Sequence, residues 1–280
     1  MKRITRRRLL IGIFLILLPG LLSWARWRPA QRYEPTPKAA HEFRVVSWNV
    51  GYFAPIKDKN LRDTDMPQIG KLLTDLDADV IILQELREAQ QASKIANLLG
   101  EDWTATTVGT GHGKQVLAVL TDRPILETEE LDCGSRNALG VSLEGNDGEK
   151  VYLLGVHHPH PGWSVDENIS SIRCAMTHLA ERPETKKITA GDFNYHFTPH
   201  GDDELYREIS QTFADSTTTL GSTYYARTRI DHFFHTPKTL TATNASGMID
   251  LPLRFAKVPG FRDHRPIVVT YRDLPFSEEE

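Results

Sequence analysis

The stretch that most constrains this chain is Ile188-Thr189-Ala190-Gly191-Asp192-Phe193-Asn194. A short apolar run ends in a glycine, a carboxylate and a carboxamide. A buried strand carries Ile188 and Ala190 and stops at Gly191, where the backbone turns freely. Asp192 and Asn194 have the same parity, so in extended chain they point the same way. That places an acceptor beside a mixed donor and acceptor at a strand end, where open α/β architectures collect their chemistry. Asp-x-Asn after glycine is also ordinary turn chemistry, so the stretch alone leaves both readings open.

Other apolar runs meet polar groups in the same way. Arg44 to Asn49 ends in a carboxamide, and Asp79 to Glu85 ends in a carboxylate. Arg229 to Phe234 carries Asp231 inside an apolar run, and Asp263-His264 precedes Ile267-Val268-Val269. Buried Glu85 and Asp231 are costly unless paired or bound to a metal. Several strand ends offering oxygen ligands, with an Asp-His pair, point to one shared site.

The motifs SWNVGYF, IILQE, GVHHPHP, AGDFN, RIDHFF and RDHRP occur in this order. As an ordered set they resemble the endonuclease/exonuclease/phosphatase superfamily, over roughly residues 43 to 272. The resemblance implies an α/β (α+β) fold of one domain: a four-layer sandwich of two packed mixed β-sheets flanked by helices. It departs in one place, where Arg262 replaces the serine usual before the final Asp-His. It further implies hydrolysis of phosphoesters by water, with Mg²⁺ or Mn²⁺ as cofactor. Glu85, Asn49 and Asp263 are then the metal residues, an oxygen set that suits a hard cation. Asp192 orients or deprotonates the attacking water, and Asn194 holds the phosphate or that water. His264 contacts the scissile phosphate and assists proton transfer, oriented by Asp231. His157 binds phosphate or donates a proton to the leaving oxygen.

The competing motifs are weaker. His157, His158 and His160 lack the helical His-x₃-His spacing and nearby cysteine of a zinc cluster. Gly109 to Lys114 has three residues between its glycines and Gln115 after the lysine, so it fails as a Walker A loop and reads as a hairpin turn. No Gly-x-Ser-x-Gly elbow is present. Arg136, Arg227 and Arg229 are available to grip phosphate, but are expected in solvent.

Charge is placed unevenly. Residues 1 to 32 hold 8 of the 33 Lys+Arg and no acid. The remainder has 25 basic against 37 acidic residues, a formal net charge of −12. Such a body does not hold long polyanions by bulk electrostatics, although a metal can neutralise phosphate locally. Lys2, Arg3, Arg6, Arg7 and Arg8 precede a run from Leu9 to Leu22 with no charged residue. Residues 1–28 therefore read as a signal peptide or membrane anchor, with Trp24 and Trp27 as interfacial anchors if the segment is retained. Residues 29–42 form a linker, 43–273 the domain and 274–280 an acidic tail. The domain is expected on the periplasmic or extracellular side, as a monomer whose partner is a phosphoester substrate, nucleic acid or phospholipid. Cys133 and Cys174 can pair in an oxidising compartment; two buried thiols are the preferred expectation.

Expected strands are Phe43 to Val50, Asp79 to Glu85, Trp103 to Val108, Gln115 to Leu120, Ile125 to Leu131, Ala138 to Leu143 and Val151 to His157. Later strands are expected at Ser222 to Tyr225, Ile230 to His235, Leu240 to Ala245 and Ile267 to Tyr271. Helices are expected over Met66 to Leu76, Glu88 to Leu99, Asp166 to Glu181 and Asp202 to Ser210. A lipid or inositol phosphate phosphoesterase, and a non-catalytic tethered binding domain, are the alternative functions.

Overall fold

The strands of this chain read as nearly continuous apolar runs because most are covered on both faces. The computed structural model describes residues 37–51, 66–110, 115–199, 201–224, 228–247 and 264–274. Residues 1–36, 111–114, Tyr225, Arg227, Arg262, Asp263 and the tail from 275 lie outside them. The readings of an N-terminal anchor, of Asp263 as a metal ligand and of Arg227 therefore concern residues beyond the described ones.

Two six-stranded sheets are stacked face to face. The first has β1 (Glu42–Asn49), β2 (Val80–Leu86), β3 (Thr104–Gly109), β4 (Val116–Thr121), β11 (Leu240–Gly247) and β12 (Ile267–Asp273). Its order is β11-β12-β1-β2-β4-β3. The second has β5 (Ile125–Asp132), β6 (Asn137–Glu144), β7 (Lys150–His157), β8 (Lys186–Asp192), β9 (Ala214–Asp215) and β10 (Asp231–His235). Its order is β5-β6-β7-β8-β10-β9. Each sheet is mixed, with one parallel pair at its centre: β1 with β2, and β7 with β8.

Side-chain parity divides the core into three layers. Phe43, Val45, Val80, Ile82, Val151, Leu153, Ile188, Ala190 and Phe233 fill the space between the sheets. Val46, Trp48, Ile81 and Leu83 face the other way, against α1 (Met66–Thr74) and α2 (Ala89–Leu99). Tyr152, Leu154, Val156 and Phe234 meet α3 (Val165–Glu181) and α4 (Glu204–Ser210) on the far side. Helix α3 buries Ile172, Ala175, Met176 and Leu179, one stripe at helical spacing. Its cap is Ser164, whose hydroxyl accepts from the Glu167 N–H at 3.1 Å, while Asp166 lies in the first turn. The four-layer sandwich expected from the resemblance is thus the architecture observed, as a single domain.

The structure corrects three local expectations and adds one strand, β9, that the pattern did not show. Strand β8 does not stop at Gly191 but runs on through Asp192. Gly191 is needed for a close approach: a Cβ there would lie 1.9 Å from the Val156 carbonyl oxygen on β7, and φ is 156°. The described residues of the strand expected at Ser222 to Tyr225, 222–224, form no strand; Tyr224 makes an isolated antiparallel bridge with His264. Strand β9 is too short to leave a pattern. Finally, Cys133 and Cys174 are joined in a disulfide, not left as two thiols. Their pairing depends on how α3 lies over the second sheet, which brings the two Cα atoms to 5.7 Å across 41 residues of sequence. Among the described residues no helix is long and apolar enough to cross a membrane.

Two measurements check these readings by chemical denaturation. Replacing Cys133 and Cys174 together by serine should cost about 2–4 kcal/mol, the loop-closure effect for a crosslink of this span. Gly191→Ala should cost about 3 kcal/mol or more, because the Val156 carbonyl of the paired strand blocks the methyl group and backbone cannot swing aside as a side chain could.

Candidate active site

Both parallel pairs run their C-terminal ends to the same rim of the sandwich. There the inward-facing rows change from apolar to polar. On β7 the row Val151, Leu153 continues to His157; on β8 Ile188, Ala190 continues to Asp192; on β10 Phe233 shares its face with Asp231. Strand register then sets them side by side, since His157 is opposite Asp192 and Asp192 opposite Asp231. Asn49 ends the inward row of β1. All four are buried.

Glu85 reaches this rim by a different device. Strict alternation on β2 sends it to the helix side with Ile81 and Leu83. A bulge between Leu83 and Leu86, with Glu85 at φ 59°, turns it back. Asn49 Nδ2 then donates to Glu85 Oε1 at 3.2 Å and to Asp192 Oδ2 at 3.0 Å. One carboxamide therefore ties the two sheets together at the site.

Asp192 is held from several sides. The Asn194 backbone N–H donates to its Oδ1 at 2.8 Å, and Asn194 Nδ2 donates to its Oδ2 at 3.3 Å and to the His158 carbonyl at 3.0 Å. Asn194 makes these bonds from a left-handed backbone at φ 49°. Between the two, Phe193 turns into the outer core, and its N–H donates to the Ile230 carbonyl at 2.8 Å. Burial pushes the Asp192 carboxyl up to about 7; His264 opposes the shift and Asp231 adds to it.

His264 stands between two carboxylates. Its Nδ1 is 3.0 Å from both Asp231 oxygens, and its Nε2 is 3.6 Å from Asp192 Oδ2. The Tyr224 ring lies 4.8 Å from the imidazole. His157 Nε2 is 3.7 Å from both Glu85 Oε1 and Asp192 Oδ2. His158 is on the opposite face of the sheet: its Nδ1 is 2.9 Å from Ser171 Oγ and its ring 5.0 Å from Phe193. Burial holds it near a pKa of 3, as befits a core histidine. The histidines of the HHPH run therefore do not form a metal cluster.

Glu85, His157, Asp192, Asn194 and His264 line one cleft of ≈ 260 Å³. Asn49 and Asp231 lie directly behind it. Every expected site residue among the described ones is thus brought together. Among the described residues, Asp192, Asp231 and His264 have ligand atoms within 4.8 Å of one another. Glu85 and the Asn49 carboxamide adjoin this group, and the oxygen-rich donor set fits a hard divalent cation better than zinc. Gln115, His160, Trp163 and Tyr224 also line the cleft and were not among the expected site residues; Arg136, weighed as a phosphate grip but expected in solvent, lines it too. Arg136 and Arg229 are buried rather than solvated, at 5% and 6% exposure. No local pattern marks them, since each is buried by loops that only the folded chain brings near.

A model of the endonuclease/exonuclease/phosphatase family matches residues 46–258. The chain belongs to this family. Its members are in general hydrolases of phosphoesters. The match contains Asn49, Glu85, His157, Asp192, Asn194 and Asp231, while His264 follows it. A solved endonuclease/exonuclease/phosphatase from Beutenbergia cavernae DSM 12333 is 18% identical, with a TM-score of 0.67 over 83% of this chain and 72% of that one. The human Nocturnin catalytic domain with a bound sulfate anion is 15% identical, with a TM-score of 0.64 over 89% of this chain and 99% of that one. D. rerio TDP2 in complex with a single-strand DNA product is 19% identical, with a TM-score of 0.63 over 82% and 99%. At these identities the likeness establishes the fold. No curated protein matches the chain.

The raised Asp192 pKa predicts a pH signature. The fold favours the protonated carboxyl, so in metal-free protein stability falls as pH rises from about 4 through about 7. A bound cation competes with that proton. Mg²⁺ should raise Tm more at pH 8 than at pH 5, by roughly 2–4 °C for each kcal/mol of differential binding. Equal gains at both pH values would place the ion away from Asp192.

Proposed function

We propose that the protein is a divalent-metal-dependent phosphoester hydrolase in which water attacks phosphorus. One observation carries this reading: a buried carboxyl, Asp192, faces the same small cleft as an Asp-oriented imidazole and a second carboxylate, Glu85. A phosphoryl group in that cleft meets donors and a base on different sides, which in-line displacement requires.

Asp192 takes the proton of the attacking water, and a pKa near neutrality suits that task. Asn194 and Asn49 keep its oxygens aimed, so their first role is to position Asp192 rather than to grip phosphate directly. Asp231 orients His264 through Nδ1 and leaves Nε2 facing the cleft. Its own N–H donates to Thr223 Oγ at 3.1 Å, which anchors the pair. His157 presents Nε2 to the phosphate from the other wall. Mg²⁺ or Mn²⁺ held by Glu85, and by Asn49 Oδ1 once it turns from the Gly51 N–H that it accepts from at 3.1 Å, would polarise a phosphoryl oxygen and offset the charge that develops on it. Asp263 remains a candidate further ligand.

The acidic body favours recognition confined to the scissile phosphate and its near neighbours over tracking of a long polyanion. A phosphodiester of nucleic acid or of a lipid headgroup satisfies that condition. We further propose that the domain works outside the cytoplasm, delivered by residues 1–28 and joined to them by the linker 29–42. The Cys133–Cys174 disulfide supports an oxidising compartment.

The test is hydrolysis by the full chain of plasmid DNA, RNA, sphingomyelin and phosphoinositides, with Mg²⁺, Mn²⁺ or chelator. Metal-dependent turnover of at least one substrate is expected. Glu85→Ala, Asp192→Asn and His264→Ala should each lower kcat by about 10²–10⁴-fold. Undiminished turnover in a folded variant would remove that residue from its role.

A further inference from the structure

We propose that Arg136 is a positioning residue that holds His157 in the tautomer whose Nε2 carries the ring proton, so that the two histidines of the cleft do opposite work. Arg136 immediately precedes β6 and is 5% exposed. One of its terminal guanidinium nitrogens lies 3.1 Å from His157 Nδ1. A guanidinium is always charged and has donors but no acceptor. His157 Nδ1 must therefore accept, and the ring proton belongs on Nε2. A doubly protonated ring would set N–H against N–H.

His264 is arranged with the reverse sign. Its Nδ1 faces the Asp231 carboxylate, which accepts but cannot donate when ionised. The proton of a neutral His264 is on Nδ1, and Nε2 is left as an acceptor toward the cleft. A basic group behind one imidazole and an acidic group behind the other divide the labour. His264 can take up and return a proton. His157 offers a fixed N–H to a phosphoryl oxygen, and releasing that proton would leave an imidazolate beside Glu85 and Asp192. The reading of His157 as a proton donor to the leaving oxygen gives way to hydrogen-bond donation alone.

Arg136 is itself braced. The same nitrogen has a second N–H for Gln115 Oε1, a short contact, and Thr110 Oγ lies 3.4 Å from it. Its guanidinium lies 5.6 Å from the centre of the Trp163 ring. Cys133, three residues earlier, ties this turn to α3.

The inference depends on the hydrolase reading for its kinetic arm only, because the tautomer is read without turnover. The full chain, ¹⁵N-labelled at histidine, is measured by two-bond ¹H–¹⁵N correlation, with His157→Gln assigning the signals. The wild type should show His157 protonated at Nε2 and bare at Nδ1. Arg136→Met, which removes the donor, should release the fixed tautomer and lower kcat about 10- to 100-fold with KM little changed. Arg136→Lys, which keeps a donor, should restore the tautomer and most of kcat. A wild-type His157 protonated at Nδ1 would overturn the proposal, and so would an unchanged tautomer in the Met variant. If that variant fails to fold, the wild-type spectrum still decides. If the wild type turns over no phosphoester, the hydrolase reading falls while the tautomer is judged by its spectrum.

Discussion

Asp192 is a carboxylate that the chain has to bury at the point where two sheets close on each other. Its oxygens meet Asn49 from the facing sheet, Asn194 from its own loop and His264 from a distant segment. These bonds soften the cost of desolvation without cancelling it, so the carboxyl remains far above its ordinary range. A group so placed needs the sheets in one exact relation. Slipping the pairing register of β7, β8 or β10 by one residue would turn that strand's member of the row His157, Asp192 and Asp231 out of the inter-sheet space.

That relation is set by backbone. Gly191 lets β8 run against β7 where any side chain would strike the Val156 carbonyl. The parallel pairing that results puts His157 level with Asp192. The bulge at Glu85 performs the equivalent adjustment in the other sheet. Strained or exceptional backbone thus lies at three of the residues that face the cleft or support it, Glu85, Gly191 and Asn194. The cost is met by the apolar layers on either side, where Phe193 and its aromatic neighbours fix the strand ends.

The electrostatic design follows from opposite partners behind similar groups. Two imidazoles face one cleft, one backed by Asp231 and the other by Arg136. The acid and the guanidinium select different tautomers, so one ring type supplies both an acceptor and a donor. Neither partner is adjacent in sequence to the histidine it controls.

The sequence by itself determined where most strands and helices lie and most of the polar residues at the rim, while the two-sheet class came from the resemblance carried by the ordered motifs. Apolar runs that end in an acid, an amide or a histidine are local patterns, and an ionisable group at the end of a buried strand has few tolerable environments. Asn49, Glu85, His157, Asp192, Asn194, Asp231 and His264 were legible for that reason, helped by the order of their motifs. Only the tertiary structure decided where each side chain points and what stands behind it. Parity alone sends Glu85 to the wrong face, and one residue of register separates His157 in the cleft from His158 in the core. The choice between a Cys133–Cys174 disulfide and two buried thiols, and the burial of Arg136, were likewise decided only there. Each depends on contacts between segments tens of residues apart, and hydrophobic pattern records which faces are buried, not which groups meet there.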